Sequence, residues 1–468
     1  MSEDQRISAI KSEILQKVKP KEEDWEEIRR AVEVVKRRIL EDAKERGLEV
    51  EVEVEGSVAK DTWISTDRDI DLFIIFPRGT ERAIITGLGL ELAKAGAGEA
   101  WKTGYAEHPY VEAEVLGCRM DIVPSGELTP GKKVMTAVDR TPLHTKYVRE
   151  KLSEAGRDEV RVLKQFMKGV GVYGAELRVG GFSGYLCELL VIQYGSFDWV
   201  LKKAAAWRLG EVIDIEGHYS KGSALDAFDS PLVVIDPVDR GRNAAAAVTT
   251  CALATFVSAS RHFLKRPSLD FFFPPVTSIE TSELLRMAGG RGTEVIAIET
   301  TCPRLPSDVL WGEVNHSLSK IVRLLEEKGF RVLDSSAWSD EEKEVIFLLE
   351  LEAGRLPDAE FHPGPSTLFP DDEDKFLRKH LKSERTVAGP FIAGERWNVI
   401  RRRESTDSKT LLEENLPKMK LSPDIALEVR RGFRLSSARE LIDRSQGRPD
   451  LMFEIFMFLR KRPLWLKE

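Results

Sequence analysis

Asp69 and Asp71 lie one residue apart in Asp69-Ile70-Asp71-Leu72-Phe73-Ile74-Ile75-Phe76, a segment otherwise suited to a buried strand. Strand side chains alternate faces, so both carboxylates point the same way into one small volume. Like charges held together are costly unless a cation neutralises them. Mg²⁺ takes a hard, all-oxygen shell of a few carboxylates, waters and substrate phosphates. The chemistry this predicts is the handling of a nucleotide's phosphates. A third carboxylate, Asp121, is flanked by Met120, Ile122 and Val123 in the second of two short strands expected over 110–115 and 118–123. Three converging carboxylates can hold two Mg²⁺ ions about 3.5 to 4 Å apart, one activating an attacking hydroxyl and the other steadying a leaving pyrophosphate. Gly56 would let the backbone close on a triphosphate, and Ser57 could donate to it. Asp67 is in phase with the pair but nearer the loop, and reads as structural. For the pair alone, an exposed strand end or a turn at Thr66-Asp67-Arg68-Asp69 is the competing account.

The elements that must position these groups follow from the hydrophobic pattern. A helix over 25–46, with Ile28, Ala31, Val34, Val35 and Ile39 near helical period, precedes strands over 50–55, 70–76, 110–115 and 118–123. Together they predict an α+β head. A helix over 151–169 carries Val162, Leu163, Phe166, Met167 and Val170 as its apolar stripe. Further helices over 183–206 and 243–264 make a mainly helical second domain. Lys164 falls at the edge of the stripe, where it either snorkels to solvent or reaches into a cleft. Arg242 is expected in or just before the first turn of helix 243–264, where the dipole disfavours a cation and a bound phosphate would remove the conflict. The alternatives for Arg242 are solvent, or a pair with Asp236 or Asp239. Beyond Pro274-Pro275, strands over 295–300, 330–335 and 345–351 with a helix over 310–328 predict a small α+β domain. His362-Pro363-Gly364-Pro365-Ser366 is expected to be a turn-rich junction. The expected domains are 1–150, 151–270, 271–375 and a basic tail region, 376–468.

Composition agrees with a soluble multidomain chain: 468 residues, 42% of them hydrophobic, can fill several cores. Cys118, Cys187, Cys251 and Cys302 show no metal-ligand spacing and read as reduced thiols of a cytoplasmic protein. No apolar run reaches the eighteen or so residues of a membrane span, and no Walker-type phosphate loop or His-Glu-x-x-His is present. The net charge of −8 hides a division. Residues 376–468 carry 21 Lys and Arg against 13 Asp and Glu, so this region is +8 and the rest −16. Its clusters are Arg396-Trp397, Arg401-Arg402-Arg403, Lys418 and Lys420 before Arg430-Arg431, and Arg460-Lys461-Arg462 near Trp465. Each cluster alone reads as a solvated or locally paired face; their sum points to a polyanion.

One ordered series of motifs goes further. Gly56-Ser57-Val58-Ala59-Lys60-Asp61-Thr62-Trp63 followed by Asp69-Ile70-Asp71-Leu72-Phe73 resembles the signature of the polymerase-beta-like nucleotidyltransferases. The form with Thr62-Trp63 is similar to that of the archaeal-type (class I) CCA-adding enzymes, or tRNA nucleotidyltransferases. Thr141-Pro142-Leu143-His144, Leu163-Lys164-Gln165-Phe166, Gly171-Val172-Tyr173-Gly174-Ala175-Glu176, Ser183-Gly184-Tyr185-Leu186, and Asp236-Pro237-Val238-Asp239 leading to Arg242-Asn243 follow in order. The resemblance implies an α+β multidomain fold: a nucleotidyltransferase head, a helical central domain, a small α+β domain and the basic C-terminal tail. It implies Mg²⁺ at Asp69, Asp71 and Asp121, with nucleotide contacts from Gly56, Ser57, Lys60, Thr141, His144, Lys164, Tyr173 and Arg242. The implied reaction is template-independent addition of the 3′-terminal CCA to tRNA from CTP and ATP. Lys60 stands where the family often has arginine, which weakens any claim of bidentate phosphate contact there. Two alternatives keep the same fold: an RNA nucleotidyltransferase adding ATP alone to another acceptor, and a catalytically silent RNA-binding protein. Pairing into a homodimer is left open.

Overall fold

Ile70, Leu72, Ile74 and Phe76 all fall on one side of a strand, and in the computed structural model that side is buried. The structure describes residues 3–105, 109–127, 137–220, 224–275 and 279–466. Two compact units form, residues 1–276 with 463–468 and residues 277–462. In the first, helices α1 (Glu3–Val18) and α2 (Glu22–Glu45) precede a five-stranded sheet. Its strands are β1 (Glu51–Glu55), β2 (Asp69–Phe76), β3 (Trp101–Tyr105), β4 (Pro109–Val115) and β5 (Cys118–Gly126), in the order β1-β2-β5-β4-β3. Only β2 and β5 are parallel, which requires a crossover; it contains helix α4 (Arg82–Ala97), after the short helix α3 (Gly56–Ala59). Ile28, Ala31, Val35, Ile39 and Ala43 of α2 pack on the apolar face of the sheet. Gly96 lets α4 close on α2, since a Cβ there would fall 2.6 Å from Cγ1 of Ile39.

Helices α5 (Ala137–Lys151), α6 (Glu154–Val170), α7 (Gly184–Tyr194) and α8 (Phe197–Ala204) follow. After them come β6 (Glu211–Asp214), α9 (Ala224–Ala227), β7 (Leu232–Asp236), β8 (Asp239–Asn243) and α10 (Thr250–Lys265). Phe166 sits in the middle of an aromatic cluster in their core, its ring centre 5.4–5.5 Å from those of Phe197, Phe263 and Phe272. Three expected helices are differently bounded. The helix expected over 151–169 starts at Glu154, where the Ser153 hydroxyl accepts from the Gly156 N–H. The helix expected over 183–206 is broken at Gly195, whose φ is +88°, and restarts at the Ser196 cap. The alanine-rich helix expected from 243 begins at Thr250 instead. Asn243 closes a β7–β8 connection: its side-chain oxygen accepts from the N–H groups of Val234 and Ala245, and its amide donates to Leu232 O. Those tertiary bonds override the helix propensity of the alanines after it.

The second unit holds two sheets. One, in the order β10-β11-β9-β15, joins β9 (Glu294–Thr301), β10 (Val332–Ser339), β11 (Glu344–Leu351) and the late strand β15 (Phe433–Ser437). The other, β12-β14-β13, is built from β12 (Ala359–Ser366), β13 (Thr386–Ala393) and β14 (Arg396–Arg402). The expected junction at 362–366 is therefore strand: His362 pairs with Val399 and Pro363 with Asn398, and the Pro-Gly-Pro run is absorbed as a register shift before Ser366. Position 375 lies inside the helix Pro370–His380, and Leu411, Leu412, Ile425 and Val429 share one core with Ile298 and Phe347. Among the described residues no helix is long and apolar enough to cross a membrane. All four cysteines are free.

Candidate active site

Sheet register brings the carboxylates together. Asp71 stands opposite Asp121 across β2–β5, Asp121 opposite Glu112 across β4–β5, and Glu55 opposite Asp71 across β1–β2. Opposed residues share a face, so Glu55, Asp71, Asp121 and Glu112 form one row, with Asp69 two positions along β2 on the same side. Sequence reasoning anticipated three of these five acids. Burial, with Asp71, Glu112 and Asp69 nearby, pushes the Asp121 carboxyl up to about 7. Burial and the neighbouring Asp67 raise Asp69 to about 6, although Arg119 Nε lies 3.5 Å away. Asp71 is also raised, by burial, against the pull of Lys60 and Lys164. Oε2 of the buried Glu55 has no hydrogen-bond partner among the described residues. No three His, Cys, Asp or Glu side chains among the described residues already form a metal cage. What exists is an open acidic face short of positive charge, which suits divalent cations completed by water and phosphate.

Gly56 has a role the sequence did not suggest. Its φ is +65°, and a Cβ on it would lie 1.7 Å from Oδ2 of Asp71. The glycine makes room for the carboxylate itself. Ser57 and Val58 continue the single turn of α3, and Lys60 follows as its cap.

Two buried networks flank the acids. In the first, Glu188 of α7 is completely buried and accepts from Nζ of Lys60 at 2.6 Å and from the Thr62 hydroxyl. Nζ of Lys164 donates to Thr62 O at 3.0 Å and lies 3.9 Å from Glu188. Burial therefore excludes the solvated alternative for Lys164, and burial also lowers its pKa in spite of Glu188. Tyr173 borders this network: a Cβ at Gly184 would fall 3.1 Å from the Tyr173 hydroxyl and 3.3 Å from Nζ of Lys164. Lys168, one turn beyond Lys164, lies 5.2 Å from the Tyr173 ring centre and binds Asp67 at 2.7 Å. In the second network, Asp236 at the end of β7 binds His144 at 2.9 Å, Arg242 at 2.8 Å and the Tyr185 hydroxyl at 3.1 Å. Arg242 is thus in strand β8 and paired with Asp236, not at a helix N-terminus, because the chain at 239–243 is held in the sheet. Thr141 lies on α5, three residues before His144.

Glu188, Asp236 and Tyr185 were not singled out from the sequence as site residues. Glu188 carried a usable signal: it is a lone acid in Leu186-Cys187-Glu188-Leu189-Leu190, the same pattern that marks Asp121. In the basic region many cations are spent locally. Arg401 and Arg403 share Glu360, Arg431 pairs with Glu428, and Lys461 with Asp334. Arg378, Lys379, Lys382, Arg402, Lys418 and Lys420 remain exposed.

Three family models match the chain: a nucleotidyltransferase domain at residues 36–144, the second domain of tRNA nucleotidyltransferase at 158–273, and the C-terminal domain of the CCA-adding enzyme at 291–438. A CCA-adding enzyme from Methanothermobacter thermautotrophicus is 40% identical over 457 residues, covering 95% of this chain and 96% of its own. This chain belongs to the CCA-adding enzyme family. The family's members from Saccharolobus shibatae and Pyrobaculum islandicum are 35% and 38% identical, covering 98% and 88% of this chain and 100% and 94% of theirs. The chain is accordingly a nucleotidyltransferase of α+β multidomain fold. The first match spans Gly56 through His144, and the second spans Lys164, Tyr173, Glu188, Asp236 and Arg242.

Proposed function

We propose that the chain adds and repairs the 3′-terminal CCA of tRNA without a nucleic-acid template, joining nucleotides from CTP and ATP and releasing pyrophosphate, in the cytoplasm. The register that sets Asp71 opposite Asp121, with Asp69 on the same face, is the observation that carries the proposal. Asp69, Asp71 and Asp121 would hold Mg²⁺, the divalent cation suited to carboxylate, water and phosphate oxygens. When bound, two such ions supply activation of the 3′-hydroxyl and charge neutralisation for in-line attack on the α-phosphorus.

The remaining chemistry belongs to side chains. An ammonium has three donors, and Lys60 and Lys164 each have N–H groups left after their bonds to Glu188 and Thr62. These are available to the triphosphate, whose charge the two buried cations offset at low dielectric. The backbone at Gly56 and the Ser57 hydroxyl add neutral donors. Tyr173, held beside Lys164, braces the sugar or base. Thr141, His144 and Arg242 bind from the adjoining Asp236 network, which meets Lys60 at the Tyr185 ring. Catalysis is then positioning and charge stabilisation. The exposed basic residues of the second unit hold tRNA through its backbone and shape.

Incubation with tRNA lacking its CCA, with CTP and ATP supplied singly and together, tests the reaction. The expected products are two C additions with CTP alone and a complete CCA only with both. Incorporation of ATP without prior CTP would establish the ATP-only reading instead. Tight tRNA binding with no incorporation would establish the silent one.

A further inference from the structure

The Asp236 carboxylate is completely buried and has each of its acceptor positions filled. Oδ2 faces Nε2 of His144 at 2.9 Å and takes Nη1 of Arg242 at 2.8 Å; Oδ1 takes the Tyr185 hydroxyl and the Val238 N–H, both at 3.1 Å. Burial opposes its ionisation, but the hydrogen bond with His144, the Val238 N–H and the Arg242 guanidinium outweigh burial and hold the Asp236 carboxyl below the usual carboxylate range. An ionised carboxylate brings no proton to the contact with His144, so Nε2 must carry it. That fixes the tautomer: in the neutral ring, Nδ1 presents a lone pair. Nδ1 has no hydrogen-bond partner among the described residues. The ring stacks on Tyr185 with centroids 3.9 Å apart, which leaves it little freedom to turn over.

The charged groups around His144 are few. Asp236 favours the imidazolium; Arg242 and Lys60 oppose it. Arg140, on the same helix, lies 3.5 Å from Asp239. Burial lowers the His144 pKa more than Asp236 raises it. The free protein at neutral pH therefore holds a neutral imidazole with a lone pair on Nδ1, and a phosphate oxygen facing that lone pair would be repelled.

We infer that Asp236 is a positioning residue that makes His144 a proton-linked phosphate anchor, so that binding a nucleoside triphosphate takes up one proton at Nδ1 of His144. The proton comes from buffer, an N–H bond forms at Nδ1, and the new donor meets a phosphate oxygen while Asp236 balances the ring's charge. The inference rests on the reading that His144 meets the triphosphate. Between the titration of the free and of the nucleotide-bound ring, affinity weakens as pH rises; above the bound value it levels off. Deprotonation of Asp69, Asp121 or the nucleotide's own phosphate acts in the opposite direction, by strengthening cation and nucleotide binding.

The test is calorimetry of CTP binding to the full chain at fixed Mg²⁺, in buffers of equal pH and different ionisation enthalpy. At about pH 7.5, wild type should take up about one proton more per CTP than His144→Gln, and its Kd should rise up to about tenfold per pH unit where His144→Gln shows no such rise. Proton release at the metal-site carboxylates is common to both proteins and cancels in the difference. Equal uptake, with affinity reduced in the variant, overturns the inference and leaves the site reading standing. Unchanged affinity in His144→Gln at every pH overturns the site reading as well. Asp236→Asn is the second variant: its amide can donate to Nε2 and free the other tautomer, so CTP should bind with the extra uptake lost. Full uptake in Asp236→Asn would also overturn the inference.

Discussion

Replacing Asp121 with Asn should stabilise the metal-free protein while abolishing nucleotide addition. The carboxyl of Asp121 titrates near 7 because folding removes it from water and sets it beside Asp71, Glu112 and Asp69. A group whose folded pKa exceeds its unfolded one costs nothing while protonated in both states. The cost grows as pH rises from the unfolded value through the folded value. Three pH units at about 1.4 kcal/mol each set an upper limit of about 4 kcal/mol by pH 8. The group is only partly buried, and solvent screening reduces this to about 1–2 kcal/mol. Asparagine keeps the shape and removes the charge. Urea unfolding in the presence of a chelator should therefore show Asp121→Asn more stable than wild type at pH 8, with a clearly smaller gain at pH 5. The same variant should lose at least about a thousandfold in nucleotide addition and retain tRNA binding. A variant no more stable than wild type at pH 8 would refute the electrostatic account of the acidic row, whatever its activity.

Four other outcomes are expected. Mg²⁺ should raise the wild-type melting temperature more at pH 8 than at pH 5, because Asp69 and Asp121 are largely protonated at the lower value; an equal rise would separate cation binding from these acids. Gly56→Ala should cost about 1–3 kcal/mol and most of the activity, since its Cβ would displace Asp71 and its φ is positive; unfolding curves and kcat report the two effects. Glu188→Leu leaves Lys60 and Lys164 buried without their counter-charge and should cost about 3–5 kcal/mol, whereas a loss under 1 kcal/mol on unfolding would mean that the pair is not sealed from water. Changing Arg378, Lys379 and Lys382 together to Gln should weaken tRNA binding and lower the salt slope of log Kd by up to about 2–3; an unaltered slope removes this patch from the RNA site.

Short-range signals were legible where one period or one dipeptide governs the outcome. The alternation in 69–76 predicted β2 and its two outward acids, and the spacing of Ile28, Ala31, Val35 and Ile39 predicted the face that α2 buries. Helix limits were less legible. Gly195 and Asn243 act through a positive φ and through side-chain bonds to residues nine and eleven positions away, neither of which a hydrophobic pattern records. Proline and glycine at 363–365 suggested a junction, yet an irregular strand with a bulge can hold them.

The sequence by itself determined which chemistry was on offer: an acid pair at strand spacing, a lone acid in a second strand, lysines and a histidine in ordered motifs, and the family likeness those motifs carry. Tertiary structure alone decided how they combine. Parallel pairing of β2 with β5 sets position 71 against 121, and packing of α6 and α7 on the head turns Lys60 and Lys164 toward one glutamate. The separations involved, 50 residues for the acids and 128 for Lys60 with Glu188, exceed any local period. Charges that the chain leaves far apart acquire their pKa values and partners only when folding removes the water between them.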